Sequence, residues 1–281
     1  MQALTLPAAG GWYWLRDGFA LYRKNPLLLT LAMLSYWFSV MALSLLPWIG
    51  MVLAPLLTPA LSVAIMNVCR ALDDDGPVSA ANGETLLRYH RAMVRNMRPL
   101  LRLGAFYFCY SIAAFGLASL FDGGGLWQLL TAETPLTAKE IQEGTFLPGL
   151  QIFLCIMLPV ILAYWFAPML TAWHDLPMLK ALFFSLVASW RNWRPFLVYS
   201  LALFGVAAFL PGVLLGLVAS LSPALAGALS TLFLIALMAV LAPTLFASFY
   251  VSYRDIFVAD KDVVVTLSHT DSLPDEDRES S

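Results

Sequence analysis

The chain has 281 residues, of which 60% are apolar and 12% charged, and its formal net charge is -2. Soluble domains carry about 25% charged residues, so this composition points into a bilayer. A near-neutral balance excludes the concentrated basic face of a nucleic-acid binder, and the scattered Cys69, Cys109 and Cys155 read as small hydrophobes, with neither a disulfide framework nor a metal-ligand spacing.

The first segment that matters is amphipathic and runs from Trp14 to Pro26. After it, Leu27 to Cys69 contains no Asp, Glu, Lys, Arg or His. Crossing about 30 Å of hydrocarbon takes roughly 20 residues. This stretch is therefore two spans, about 27–46 and 49–70, turning at Pro47-Trp48-Ile49-Gly50. Because the first span follows Arg16, Arg23 and Lys24 and has full crossing length, it is not a cleaved signal. Apolar runs of about 100–121 and 147–173 come next, ending at Phe121-Asp122-Gly123-Gly124-Gly125 and at His174-Asp175. Phe196 to Tyr253 is again free of formal charge and breaks near Ser220-Leu221-Ser222-Pro223, which gives spans of about 196–219 and 224–253. The last is longer than a crossing needs and should tilt or project. From Val258 onward Asp, Glu and Ser dominate, and residues 258–281 read as a disordered acidic cytoplasmic tail. The expected fold is all-α: a polytopic membrane bundle of six transmembrane helices in one domain, 1–257.

Orientation follows from the basic residues. The N-terminus, the 71–99 and 174–195 connections and the C-terminus, with the adjoining span ends, hold every Lys and Arg except Lys139. The cation-rich side belongs in the cytoplasm, which places both termini there in a bacterial inner membrane. Trp12, Trp14, Trp173, Trp190 and Trp193 then fall near the inner interface, and Trp48 and Trp127 near the outer one. In the 122–146 loop, Thr137-Ala138-Lys139-Glu140 has the form of a capping box, closed by Gly144.

A unit recurs three times, at about 11–73, 83–175 and 177–257: an amphipathic segment, a corner, then a pair of spans. The corners are Asn25-Pro26, Asn96-Met97-Arg98-Pro99 and Asn192-Trp193-Arg194-Pro195, the last two each preceded by Arg. Proline disfavours helix at the residue before it and fits the first turn of a new helix, and Asn can accept a free backbone N–H there. The corner therefore suits a flat helix turning into the membrane. Ala54-Pro55, Ala167-Pro168 and Ala242-Pro243 recur in the second span of each pair.

In the second amphipathic segment Arg88, Arg91, Arg95, Arg98 and Arg102 fall at gaps of three or four and form one helical stripe. Leu86, Tyr89, Met93, Met97 and Leu100 occupy the opposite face. Such a helix rests in the headgroup region with its arginines on anionic lipid.

Other features carry less chemistry. No formal charge lies deep in a span, which argues against a proton- or cation-coupled path. Gln151 and Asn67 read as interhelical hydrogen bonds. Asp73-Asp74-Asp75-Gly76 could hold Mg²⁺ and a diphosphate, but such sites need a second acidic cluster, and Asp175 and Asp255 stand singly. His90, His174 and His269 have no ligand partner at helical spacing, and no G-x-S-x-G, P-loop or H-E-x-x-H pattern is present. No cofactor or metal is implied. Gly212-Val213-Leu214-Leu215-Gly216 permits close helix approach, within the bundle or at a dimer seam.

Phe19, Tyr22, Arg23, Asn25 and Pro26 carry a resemblance. The chain resembles a proteobacterial six-span inner-membrane family of unassigned activity. It is more distantly similar to the membrane domains associated with glycerophosphoryl diester phosphodiesterases, in which an amphipathic helix with this motif precedes paired spans. The resemblance implies architecture and location and no catalytic residue.

The expected function is a non-enzymatic inner-membrane component supporting lipid or envelope organisation. Its expected partners are anionic lipids, with a second copy or another membrane protein beside them. Two alternatives stand: a carrier or channel for an apolar or lipid-like substrate, and a lipid-modifying enzyme using Asp73 to Asp75.

Overall fold

The computed structural model describes residues 3–75, 80–121 and 147–257. The 122–146 loop with Trp127, Lys139 and the capping pattern, the Asp75 and Leu86 side chains, and the tail with His269 lie outside the description. Every regular element among the described residues is helical. Six of these helices are long and apolar enough to cross a membrane: Pro26–Ser44, Ile49–Asp74, Met97–Ser119, Leu147–His174, Trp193–Leu221 and Pro223–Phe257. Each coincides with a span expected from the charge-free runs, with ends differing by a few residues.

The chain divides into two compact units, Lys24–Trp190 and Met1–Arg23 with Arg191–Ser281. The larger unit begins with a hairpin of α2 (Pro26–Ser44) and α3 (Ile49–Asp75). Its turn needs two local adjustments. Trp48 takes a left-handed backbone at φ 59°, and a Cβ on Gly50 would fall 1.9 Å from the Leu43 carbonyl oxygen, so only glycine lets α3 start there. On α3, Val63, Met66, Cys69 and Leu72 recur every three residues and are at most 1% exposed. Most of α2 is not covered by protein; Leu27, Trp37, Phe38 and Met41 are exposed, as side chains facing lipid would be.

The chain continues through α4 (Ala80–Arg95) and α5 (Met97–Ser119). Next come α6 (Leu147–Tyr164), α7 (Ala167–His174) and α8 (Met178–Arg191). α5 runs directly along α3: a Cβ on Gly104 would lie 2.4 Å from the Leu56 carbonyl oxygen. The fourth span is broken at Trp165-Phe166. Pro168 has no N–H to return to the turn before it, and α8 takes over the freed groups. The Ser185 and Ser189 hydroxyls donate to the Leu162 carbonyl at 3.1 and 3.2 Å, and the Phe166 N–H donates to Ser185 Oγ at 2.9 Å.

The smaller unit joins α1 (Gly10–Lys24) to the last two spans. The fifth span consists of α9 (Trp193–Phe204), a π-helical segment Gly205–Phe209 and α10 (Leu210–Leu221). The sixth consists of α11 (Pro223–Ala236), a π-helical segment Leu237–Leu241 and α12 (Ala242–Phe257). Its 35 residues reach about 52 Å at 1.5 Å per residue, well beyond the hydrocarbon. The surplus is packed in protein: Ala247, Ser248, Val251, Tyr253 and Ile256 on α12 are buried. The ring of Trp14, 1% exposed, meets Phe196 and Tyr199 edge-on at 5.2 and 6.2 Å. Gly18 lies against the Ser248 backbone, 2.5 Å from where its Cβ would be. The Tyr22 hydroxyl donates at 3.0 Å to the Ala239 carbonyl, one of those in the second π-helical segment. Helix insertions of this kind displace backbone carbonyls, and the motif tyrosine satisfies one of them.

Gly212 and Gly216 do not serve packing within this unit: a Cβ on either meets nothing within 4 Å. Close approach falls instead at Gly11, Gly18 and Gly104, where the neighbour is backbone.

Candidate functional site

The polar residues of the larger unit concentrate where α3, α4, α5 and α7 meet. Two of the three aspartates in the acidic cluster have described side chains, and both face cations. Lys24 Nζ lies 3.6 Å from Asp73 and donates to the Leu72 carbonyl at 3.2 Å. Asp74 accepts from the Tyr89 hydroxyl and stands 4.0 Å from Arg70, one helical turn away. Burial, and then the bond to Asp74, push the Tyr89 phenol above its ordinary range. The Arg70 guanidinium lies between two rings, 4.6 Å from the Tyr89 centroid and 4.9 Å from that of Trp173. Trp173 Nε1 in turn donates to the buried Asn67 at 2.8 Å. Asn67 therefore makes the interhelical bond its sequence position suggested, and the aspartates take part in a lock between α3, α4 and α7. Among the described residues, no three His, Cys, Asp or Glu side chains come together as a metal set. Gln151 is exposed on α6.

The arginine stripe is interrupted. Sequence spacing places Arg88, Arg91, Arg95, Arg98 and Arg102 on one helix, but the chain turns at Asn96, leaving three on α4 and two on α5. Proline at position 99 disfavours continuous helix through the residue before it, and the break falls within that turn. All five arginines are exposed nevertheless, while Met93, Leu100 and Leu103 of the same stretch are buried. Arg95 lies 3.5 Å from Asp175, and Arg88 lies over the Tyr89 ring at 5.4 Å.

The three corner asparagines all occupy the position before a helix, yet only Asn25 caps one. Its Oδ1 accepts the Leu28 N–H at 3.1 Å, with Pro26 as the first helical residue. Asn96 and Asn192 make no cap bond. The reason lies in the spacing. A cap side chain accepts from the second or third helical N–H. In Asn96-Met97-Arg98-Pro99 and Asn192-Trp193-Arg194-Pro195 the third residue is proline, which has none, so one of the two cap donors is gone and only the second N–H remains. Asn25-Pro26-Leu27-Leu28 puts its proline first and keeps that donor.

Freed from capping, each amide bonds elsewhere within its own unit. Asn192, fully buried, accepts the Leu6 N–H and donates to the Leu4 carbonyl, both at 2.9 Å, and so holds the N-terminal arm. Leu4 also donates its N–H to the Ile256 carbonyl at 3.1 Å. Asn96 Nδ2 reaches the Ala172 carbonyl at 3.2 Å and the Asp175 carboxylate at the end of α7. Asp175 adopts a left-handed backbone, φ 52°, which a short polar side chain tolerates. Beside this pair is a cavity of about 230 Å³ lined by Asn96, Pro99, Arg102, Thr171, Asp175 and Met178, among others. Sequence reading brought out Arg102, Asn96 and Pro99 but gave no sign that Thr171 and Asp175 would join them, since the contact spans some 75–79 positions.

Comparison with known proteins bears on this arrangement. The chain is 36% identical over 263 residues to a probable inner membrane protein of Burkholderia thailandensis, covering 92% of this chain and 94% of the relative. The chain belongs to that inner-membrane protein family. With its six apolar helices, it is a multi-pass inner-membrane protein. No family model and no solved structure matches it. The likeness to phosphodiesterase-associated membrane domains thus rests on the short Phe19–Pro26 motif alone.

Proposed function

We propose that this protein is a non-enzymatic membrane component that gathers anionic lipid at the cytoplasmic leaflet. One observation carries the reading: five arginines in fifteen residues are all exposed, on two consecutive helices that bury Met93, Leu100 and Leu103. Near an anionic leaflet each such cation contributes about 1 kcal/mol of attraction. The engagement of Asp73 and Asp74 with Lys24, Arg70 and Tyr89 supports a structural use of the acidic cluster over a diphosphate site. The motif shared with phosphodiesterase-associated membrane domains contributes architecture to this reading and no chemistry.

The reading places both termini in the cytoplasm, the side of the Arg88–Arg102 segment. Reporter fusions at Gly83 and Pro135 should therefore report opposite compartments; the same compartment for both refutes the orientation. The lipid role is tested on the full chain purified in mild detergent. Reversing two charges, Arg91→Glu with Arg95→Glu, should cut the phosphatidylglycerol that copurifies by about half or more, because the local attraction turns into repulsion. Equal retention by parent and variant removes the proposal.

A further inference from the structure

The cavity beside Arg102 combines three features found together nowhere else among the described residues. Arg102 is exposed and has no ion-pair partner among them. Asp175 is held on one oxygen by Asn96, while the other meets Arg95 at 3.5 Å, the outer limit of a hydrogen bond. Thr171 is 1% exposed, and its hydroxyl finds no hydrogen-bond partner among the described residues. A cation and a loosely held carboxylate thus border one space of about 230 Å³ that Thr171 also lines, with Pro99, Leu176 and Met178 as its apolar wall.

The depth of this space is that of lipid headgroups. Arg102 is the sixth residue of a helix long enough to cross the bilayer, about 8 Å along the axis from its start. A guanidinium fork matches the oxygens of a phosphate diester. A carboxylate whose second oxygen meets only Arg95, at 3.5 Å, keeps acceptor capacity for an N–H donor of a primary ammonium. The apolar wall suits the glycerol and first methylenes that follow.

We infer that this cavity binds the phosphoethanolamine headgroup of a membrane phospholipid, with the phosphate on Arg102 and the ammonium on Asp175. The inference rests on the lipid-contact reading above and narrows it from general attraction to one headgroup. Selectivity follows from the same atoms. A trimethylammonium has no N–H to donate to Asp175, and a glycerol headgroup brings no cation to it.

Native mass spectrometry of the full chain in mild detergent decides the matter, using phosphatidylethanolamine, phosphatidylcholine and phosphatidylglycerol with identical acyl chains. The first phosphatidylethanolamine should bind about tenfold more tightly than phosphatidylcholine, the effect of one charge-assisted hydrogen bond. Asp175→Asn, at an exposed position, should bring that ratio close to one; Arg102→Gln, also exposed, should weaken both lipids alike through the phosphate they share, and Arg194→Gln should change neither. Equal binding of the two lipids by the parent overturns the inference, and so does a ratio that survives Asp175→Asn or an affinity that survives Arg102→Gln. Displacement by free phosphoethanolamine at the lipid's own concentration overturns it too, by assigning the site to a soluble ligand. The two readings fail separately. No headgroup preference in the parent, with phosphatidylglycerol retention still cut by the Arg91 and Arg95 reversals, sinks the cavity site alone, while an intact preference with equal retention by parent and variant sinks the basic-face reading alone.

Discussion

The second and third corners share Arg-Asn-x-Arg-Pro, and the structure uses them for different ends. At the third, Asn192 is buried and bonds the backbone of Leu4 and Leu6, and Leu4 in turn bonds the Ile256 carbonyl. At the second, Asn96 is half-exposed and binds a carboxylate beside an open cavity. One is a clamp and the other borders a site. The lesson is that the proline, by removing the N–H a cap would take, releases the amide for tertiary work, and the surroundings then decide which.

Substitutions at the corners break this contrast in graded steps, each read by unfolding in mixed micelles. Asn192→Ala has the largest expected effect: it empties a fully buried amide site and removes two part-buried bonds to the Leu4 and Leu6 backbone, and should cost about 2–3 kcal/mol. A loss below that of the other two variants would mean the arm is not clamped. Asn96→Ala should cost about 1–2 kcal/mol, since water can reach part of what it leaves behind, and should weaken phosphatidylethanolamine binding by freeing Asp175. Stability loss with binding intact would separate the corner from the cavity. Asn25→Ala should cost about 1 kcal/mol as a lost helix cap, with Asn25→Ser restoring most of it. If serine rescues Asn96 or Asn192 equally well, the distinction between capping and tertiary corners falls.

Much of the fold could be read from the chain, because lipid leaves little freedom: charge-free runs of crossing length have to be helices. The breaks inside those runs were not legible. The kink at Trp165-Phe166 depends on Ser185 and Ser189 reaching the Leu162 carbonyl, a contact set by tertiary structure. Nor did the π-helical segments announce themselves, although Tyr22 anchors one through a motif that was visible from the start. For the candidate site, spacing revealed the arginines but overstated their continuity across Asn96. It also offered Gly212 and Gly216 for close approach within the bundle or at a dimer seam, whereas close approach within the units falls at Gly11, Gly18 and Gly104. The corner asparagines are the instructive miss. The position of each proline relative to its asparagine already distinguished a cap from a free amide, and only pairing the two facts would have shown it.

The clamp on the N-terminal arm also sets an order of events during synthesis. Leu6 and Asn192 are separated by 186 positions, and Tyr22 and Ala239 by 217. When α1 leaves the ribosome, none of its buried neighbours exists yet. Four spans must be inserted while Trp14 and Leu21 wait without cover, and the headgroup layer is the available shelter for an amphipathic helix. The smaller unit is thus begun first and finished last, so a chain that stops before Phe196 leaves its opening helix stranded.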